Sequence, residues 1–219
     1  MKERRSIEHA VVVPPVVLQV NGLSYRAGER ALFVNWSARI RSGITLVRGG
    51  DGSGKTTLLR LLAGELPADA GHLQVNDVSL GERAHAYRRQ VFWINPKSDA
   101  FEQTTPDDFF LTLPRHYPQF DERRLLSLIE GLSLESHRKK QFHMLSTGSK
   151  RKVWLAAAFA SGAALTLIDE PFAALDKASV RFVIELLKSA AAHPSRAWLL
   201  AHYEAPSDVA LAAIIDLGD

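Results

Sequence analysis

The run GGDGSGKT at residues 49–56 sets Gly49, Gly54, Lys55 and Thr56 at the spacing of a phosphate-binding loop. Gly49, Gly50, Gly52 and Gly54 let the backbone turn its N–H groups onto phosphate oxygens, with Asp51 and Ser53 between them. Lys55 can reach the outer phosphates and serve catalysis there, the Thr56 hydroxyl can bind Mg²⁺, and Thr57 leads into the following helix. The stretch ALTLIDEP is an apolar strand that ends in two acids. Paired with the loop, Asp169 would reach the magnesium through water, and Glu170 would accept the proton of an attacking water. The chemistry implied is hydrolysis of a nucleoside triphosphate, by positioning and charge neutralisation.

These residues need strands to hold them. VVLQVNGLSY, RALFVNWSARI and GITLVRG are rich in β-branched and aromatic residues and are separated by glycine turns. KTTLLRLLAGEL carries leucines at helical spacing, GHLQVNDVSL reads as a strand pair and QVFWIN as a compact strand. From about residue 97 the pattern turns helical: TTPDDFFLTL, DERRLLSLIEGL and STGSKRKVWLAAAFA, with Thr-Pro-Asp-Asp (105–108), Asp121 and Ser146 as helix starts. Beyond it come the strand ALTLID, the helix KASVRFVIELLKSAAA, the strand RAWLLAH, and a last helix and strand. Alternating strands and helices predict an α/β fold: a phosphate-loop NTPase core on a mostly parallel sheet, with an N-terminal antiparallel β subdomain and an inserted α-helical subdomain. The expected organisation is a single domain over 1–219, with the core at 16–96 and 159–219, the helical signature subdomain at 97–158, and a tail at 1–15.

The chain has 219 residues, of which 46% are hydrophobic and 23% charged, which is an ordinary globular composition. A net charge of +3 does not make a general polyanion binder, so no nucleic-acid partner is expected. Cysteine is absent, which excludes disulfides and thiolate metal sites and suits a reducing cytosol. The basic start MKERRSIEHAVVVPPVVLQV superficially resembles a secretory signal, but Glu3, Glu8 and Pro14–Pro15 interrupt it. No apolar run approaches the roughly 20 residues that span a bilayer, so any membrane crossing falls to another chain. His85, His116, His137, His143 and His193 show no ligand spacing.

LSTGS at 145–149 is a second small polar turn before a helix, a place that favours anions. Its weight comes from order along the chain: phosphate loop, helical stretch, LSTGS, then Asp169–Glu170. That order resembles the ATP-binding-cassette (ABC) ATPases, whose signature is LSGGQ, with Thr147 and Ser149 as departures. The resemblance spans about 16 to 217. It implies that Ser146, Thr147, Gly148 and Ser149 act in trans, capping ATP held by an opposite subunit in a head-to-tail homodimer or heterodimer. It also places Tyr25 where an aromatic stacks on adenine, with an ordinary strand tyrosine as the alternative. AALD resembles the loop past the acids and puts Asp176 at the dimer seam. LLAHYE resembles the strand-end switch, in which His202 contacts the γ-phosphate. The family usually carries a glutamine after the strand VFWI; here Asn95 and Pro96 stand there, Asn95 could coordinate the metal through its amide, and Gln103 is a possible substitute.

The resemblance further implies an ATPase with ATP and Mg²⁺, working with an integral-membrane permease, peripheral on the cytoplasmic face of the cell membrane. RHYPQFDERRLLSLIEGLSL followed by LSTGSKRK looks like ATPases paired with separate exporter permeases, which favours export. Phe101, Phe109, Phe110, Tyr117 and Phe120 crowd the helical stretch, most of them as core and one or two as a permease groove. HRKK at 137–140 and KRK at 150–152 read as solvated helix faces, with contact to anionic lipid or nucleic acid as the alternative. The other functional classes are a soluble non-transport ABC ATPase acting on ribosomes or DNA, and an ATP-gated assembly module.

Overall fold

The computed structural model describes residues 13–95 and 98–218. The signal-like start up to residue 12, most of the expected tail, and Pro96 lie outside the described residues.

Two sheets build the molecule. Strands β1 (Val16–Ala27) and β2 (Arg30–Arg41) form a long antiparallel pair, and β1 also pairs with the later strand β4 (Ala70–Val75). With β5 (Val78–Ser79) the order is β2-β1-β4-β5. The second sheet has the order β6-β7-β8-β3-β9, and every pairing in it is parallel. Its strands are β3 (Gly43–Arg48), β6 (Val91–Phe92), β7 (Leu165–Asp169), β8 (Ala197–Ala201) and β9 (Leu211–Asp216). Helix α1 (Lys55–Leu62) follows β3, and the short α2 (Ala84–Arg88), which the sequence pattern did not suggest, precedes β6. Helices α3 (Pro106–His116), α4 (Glu122–Gly131) and α5 (Thr147–Ala160) fill the stretch between β6 and β7, and α6 (Lys177–Ala191) joins β7 to β8.

Strand β8 shows why the parallel sheet is buried on both faces. Trp198 and Leu200 belong to the core beneath α5 and α6, whereas Ala197, Leu199 and Ala201 belong to the core that holds α1 and the antiparallel sheet. Side chains alternate across a strand, so a near-continuous apolar run serves two cores at once. The helical stretch is packed by aromatics: Phe142 stacks on Trp154 at 4.4 Å, and Phe109 meets Trp154 edge-on at 5.2 Å. Phe109 and Phe110 are buried, and Phe101, Tyr117 and Phe120 pack against the same core. Phe110 and Phe120 also line a groove of about 400 Å³ between α3 and α4, beside the exposed Leu111 and Leu126.

One expected element is absent. The segment between β8 and β9 forms turns rather than a last helix. Pro206 cannot donate to a helix ladder, and Asp208 adopts a left-handed φ of 61°.

Candidate functional site

The strand order brings the chemistry together. β7, β8 and β3 are neighbours, and parallel pairing puts their carboxyl ends at one edge. The phosphate loop leaves β3, Asp169 ends β7, and His202 directly follows β8. Open α/β sheets form their binding crevices at that edge. A cleft of about 360 Å³ lies there, lined by Asp51, Gly52, Gly54, Lys55, Thr56, Thr57, Asp169 and Glu170, together with Leu32 and Arg151.

The loop fits a phosphate. Gly54 is the N-cap of α1 with a φ of 102°, a left-handed conformation that suits glycine, and no side chain caps the helix. The first-turn N–H groups of α1 therefore have no intrahelical acceptor and face the cleft edge. The Ser53 hydroxyl is buried without a partner among the described residues. Lys55 Nζ bonds its own loop, donating to the carbonyls of Gly49 at 2.7 Å and Gly50 at 2.8 Å.

The metal-binding candidates also meet. Thr56 Oγ1 donates to Asp169 Oδ2 at 2.7 Å, which juxtaposes two hard oxygen ligands of the kind Mg²⁺ takes. Burial pushes the Asp169 carboxyl up from its ordinary value. The Thr56 hydrogen bond opposes that, Glu170 adds to it, and the charges of Arg151 and Lys55 oppose it. A bound cation would favour the ionised form further. Glu170 adopts a left-handed φ of 49° and hydrogen-bonds His202 Nδ1 through Oε2 at 2.9 Å. His202 is further held by Phe172, whose ring stands edge-on at 5.4 Å.

Other expected site residues stand elsewhere. Tyr25 is half-buried on β1 opposite Phe33; the cleft-lining residue from this sheet is Leu32, which sequence reasoning missed. The Asn95 amide nitrogen lies 3.5 Å from Glu65 Oε1, and Asn95 does not line the cleft. The Gln103 carbonyl accepts from Gln141 at 3.2 Å. Ser146 caps α5 by accepting from Ser149 N at 3.1 Å, and it and Thr147 are exposed, outside the cleft lining. A Cβ on Gly148 would stand 2.3 Å from the Ala174 carbonyl, so the signature turn and the loop past the acids touch where only glycine fits. Asp176 caps α6 through Ser179 N at 2.9 Å and pairs with Lys152 at 2.6 Å.

The basic run at 150–152 is not a solvated face. Lys150 pairs with Glu102 at 2.5 Å, Arg151 donates to the carbonyls of Asp169 and Glu170, and Lys152 holds Asp176. At 137–140, Arg138 pairs with Asp107 at 2.7 Å, while Lys139 and Lys140 are exposed. Among the described residues no cluster of His, Asp and Glu could hold a metal alone, and no helix is long and apolar enough to cross a membrane.

Comparison with known proteins agrees with this architecture. The profile of the ABC transporter family matches residues 34–173. The cytochrome c biogenesis ATP-binding export protein CcmA of Nitrosococcus oceani is 35% identical over 189 residues, covering 85% of this chain and 86% of that protein. The solved ATP-binding subunit of an ABC transporter superposes with a TM-score of 0.76 at 25% identity, covering 85% of this chain and 79% of that one. A dimeric post-hydrolysis ATP-binding cassette bound to ADP and Pi has the same fold, with a TM-score of 0.69 at 19% identity over 85% of this chain and 88% of that one. With its phosphate loop, strand-end acids and LSTGS turn set on that fold, the chain belongs to the ABC transporter family as an ATP-binding subunit.

Proposed function

We propose that the chain is the ATP-hydrolysing subunit of an exporter, working with a separate membrane permease and closing head to tail on a second ATPase subunit at the cytoplasmic face of the membrane. The observation that carries this is the convergence of Lys55, Thr56, Asp169 and Glu170 on one cleft, while Ser146 and Gly148 stand outside it on an exposed helix start. The export direction draws support from the similarity to an export ATPase. Residues 97–158 serve as the helical signature subdomain, and 16–96 with 159–219 as the nucleotide-binding core.

Each residue then has a role. The α1 N-terminus and the Ser53 hydroxyl take phosphate oxygens, and Lys55 exchanges its two loop carbonyls for the outer phosphates. Thr56 and Asp169 would hold Mg²⁺, which supplies neutralising charge to the phosphates. Glu170 takes the proton from water, and His202 holds its carboxylate in place before contacting the γ-phosphate. Tyr25 stacks on the adenine, and Asp176 sits at the seam.

Phosphate release by the purified chain tests the reading. Glu170→Gln is expected to lower turnover by about 100-fold or more with ATP binding kept, because loss of a positioned base costs that much. Turnover near the wild-type rate would overturn the assignment.

A further inference from the structure

Arg151 stands outside the LSTGS turn and carries none of the expected site roles, yet it reaches the centre of the site. It leaves the first turns of α5, and its side chain lines the cleft beside Lys55, Thr56, Asp169 and Glu170. Its Nη1 donates to the Asp169 carbonyl at 2.8 Å and also to the Glu170 carbonyl. In a continuing strand, consecutive carbonyls point to opposite sides. Here two of them converge on one nitrogen, which the left-handed turn at Glu170 makes possible. That backbone conformation is unfavourable for glutamate and persists only where the surroundings hold it. Glu170 N donates to the Ala201 carbonyl at 2.9 Å, so the turn is tied to β8 on one side and to α5 through Arg151 on the other. The Arg151 Nε is buried without an acceptor among the described residues, a donor the folded chain leaves unused.

We infer that Arg151 is a positioning residue for hydrolysis: it locks the left-handed turn that aims the Glu170 carboxylate, and so makes the catalytic geometry depend on where the signature helix stands. A guanidinium suits this role, because Nη1 offers two N–H donors in one plane, and the charge persists in a part-buried site. Its neighbours extend the linkage. Lys150 ties the same turn of α5 to Glu102, and Lys152 ties it to Asp176. Three consecutive cations thus fasten the signature helix to the loop after β6, to the acids and to the seam loop.

The inference rests on Glu170 as the proton acceptor, and the experiment separates the two. Steady-state ATPase is measured for wild type, Arg151→Met, Arg151→Lys, Glu170→Gln and the Arg151→Met/Glu170→Gln double variant. Nucleotide-free Tm is measured alongside. Arg151→Met is expected to lower kcat about 10- to 100-fold with KM for ATP within about 3-fold. Arg151→Lys should recover most of the rate, because an ammonium can still donate to both carbonyls. In the Glu170→Gln background, removing Arg151 should cost nothing more, since it acts through that carboxylate. Losses that multiply in the double variant, an unchanged kcat, or kcat and KM failing together with a lowered Tm would each overturn it. Wild-type turnover by Glu170→Gln alone would instead sink the reading of Glu170 and leave the Arg151 single-variant comparison standing.

Discussion

Ser53 carries a hydroxyl that folding buries and leaves unpartnered, a small loss in the nucleotide-free protein that has an evident use once phosphate arrives. Ser53→Ala should therefore leave the nucleotide-free Tm unchanged or slightly raised, while weakening Mg-ATP binding by about 10- to 100-fold, the worth of one hydrogen bond to a charged group. Thermal shift with and without Mg-ATP reads both at once, and a lowered nucleotide-free Tm would show that the hydroxyl serves the fold instead. The loop was legible in the sequence because its chemistry is local: glycines, lysine and threonine at fixed offsets state their own geometry. Arg151 was not, because nothing local distinguishes it from Lys150 and Lys152. Only the packing of α5 against the end of β7 decides which of three cations meets the acids. Leu32 escaped for the same reason, since which half-buried residue of a hairpin faces a cleft is set by the sheet's placement.

At the scale of elements, caps made the helices readable. Thr105, Asp121 and Ser146 each accept from the backbone N–H three residues on, which is the local signal that marks a helix start, and Asp176, read only as a residue of the loop past the acids, does the same for α6. The misread element, between β8 and β9, has apolar residues at plausible spacing but a proline and a left-handed aspartate inside it. Asp176 also carries a pH signature. Lys152, and after it the Ser179 N–H and hydroxyl, hold its carboxyl well below the usual carboxylate range. A depressed folded value means that the contribution to stability is present above the unfolded pKa of about 3.9 and is lost as pH falls towards the folded one. Asp176→Asn keeps a good N-cap but loses the charge attraction. Its Tm should lie below wild type at pH 7, with the gap closing as pH is lowered through 4. No gap at any pH would assign the role of Asp176 to capping alone, and a gap that stays constant with pH would rule out its charge as the cause.

At the scale of the molecule, strand order was beyond the sequence, because β6-β7-β8-β3-β9 comes from how two cores share one sheet, not from any local pattern. That order leaves the cleft and the signature turn apart within one chain. It also binds the LSTGS turn and the loop past the acids into a single surface, through the Gly148–Ala174 approach and the Lys152–Asp176 pair. A second copy is the simplest source of the missing cap. Glu170→Gln protein with Mg-ATP should then run as a dimer on size exclusion and as a monomer without it, because unhydrolysed nucleotide holds the two surfaces together. Ser146→Asp is the discriminating partner variant. Aspartate can replace serine as the cap of α5, so the monomer should keep its Tm, yet it sets a negative charge where the opposing phosphates must come. A nucleotide-dependent shift that Ser146→Asp erases would establish the trans arrangement. A dimer indifferent to Ser146→Asp would place the contact on another surface, and no shift despite measured ATP binding would mean that closure requires the permease or a different ATPase chain.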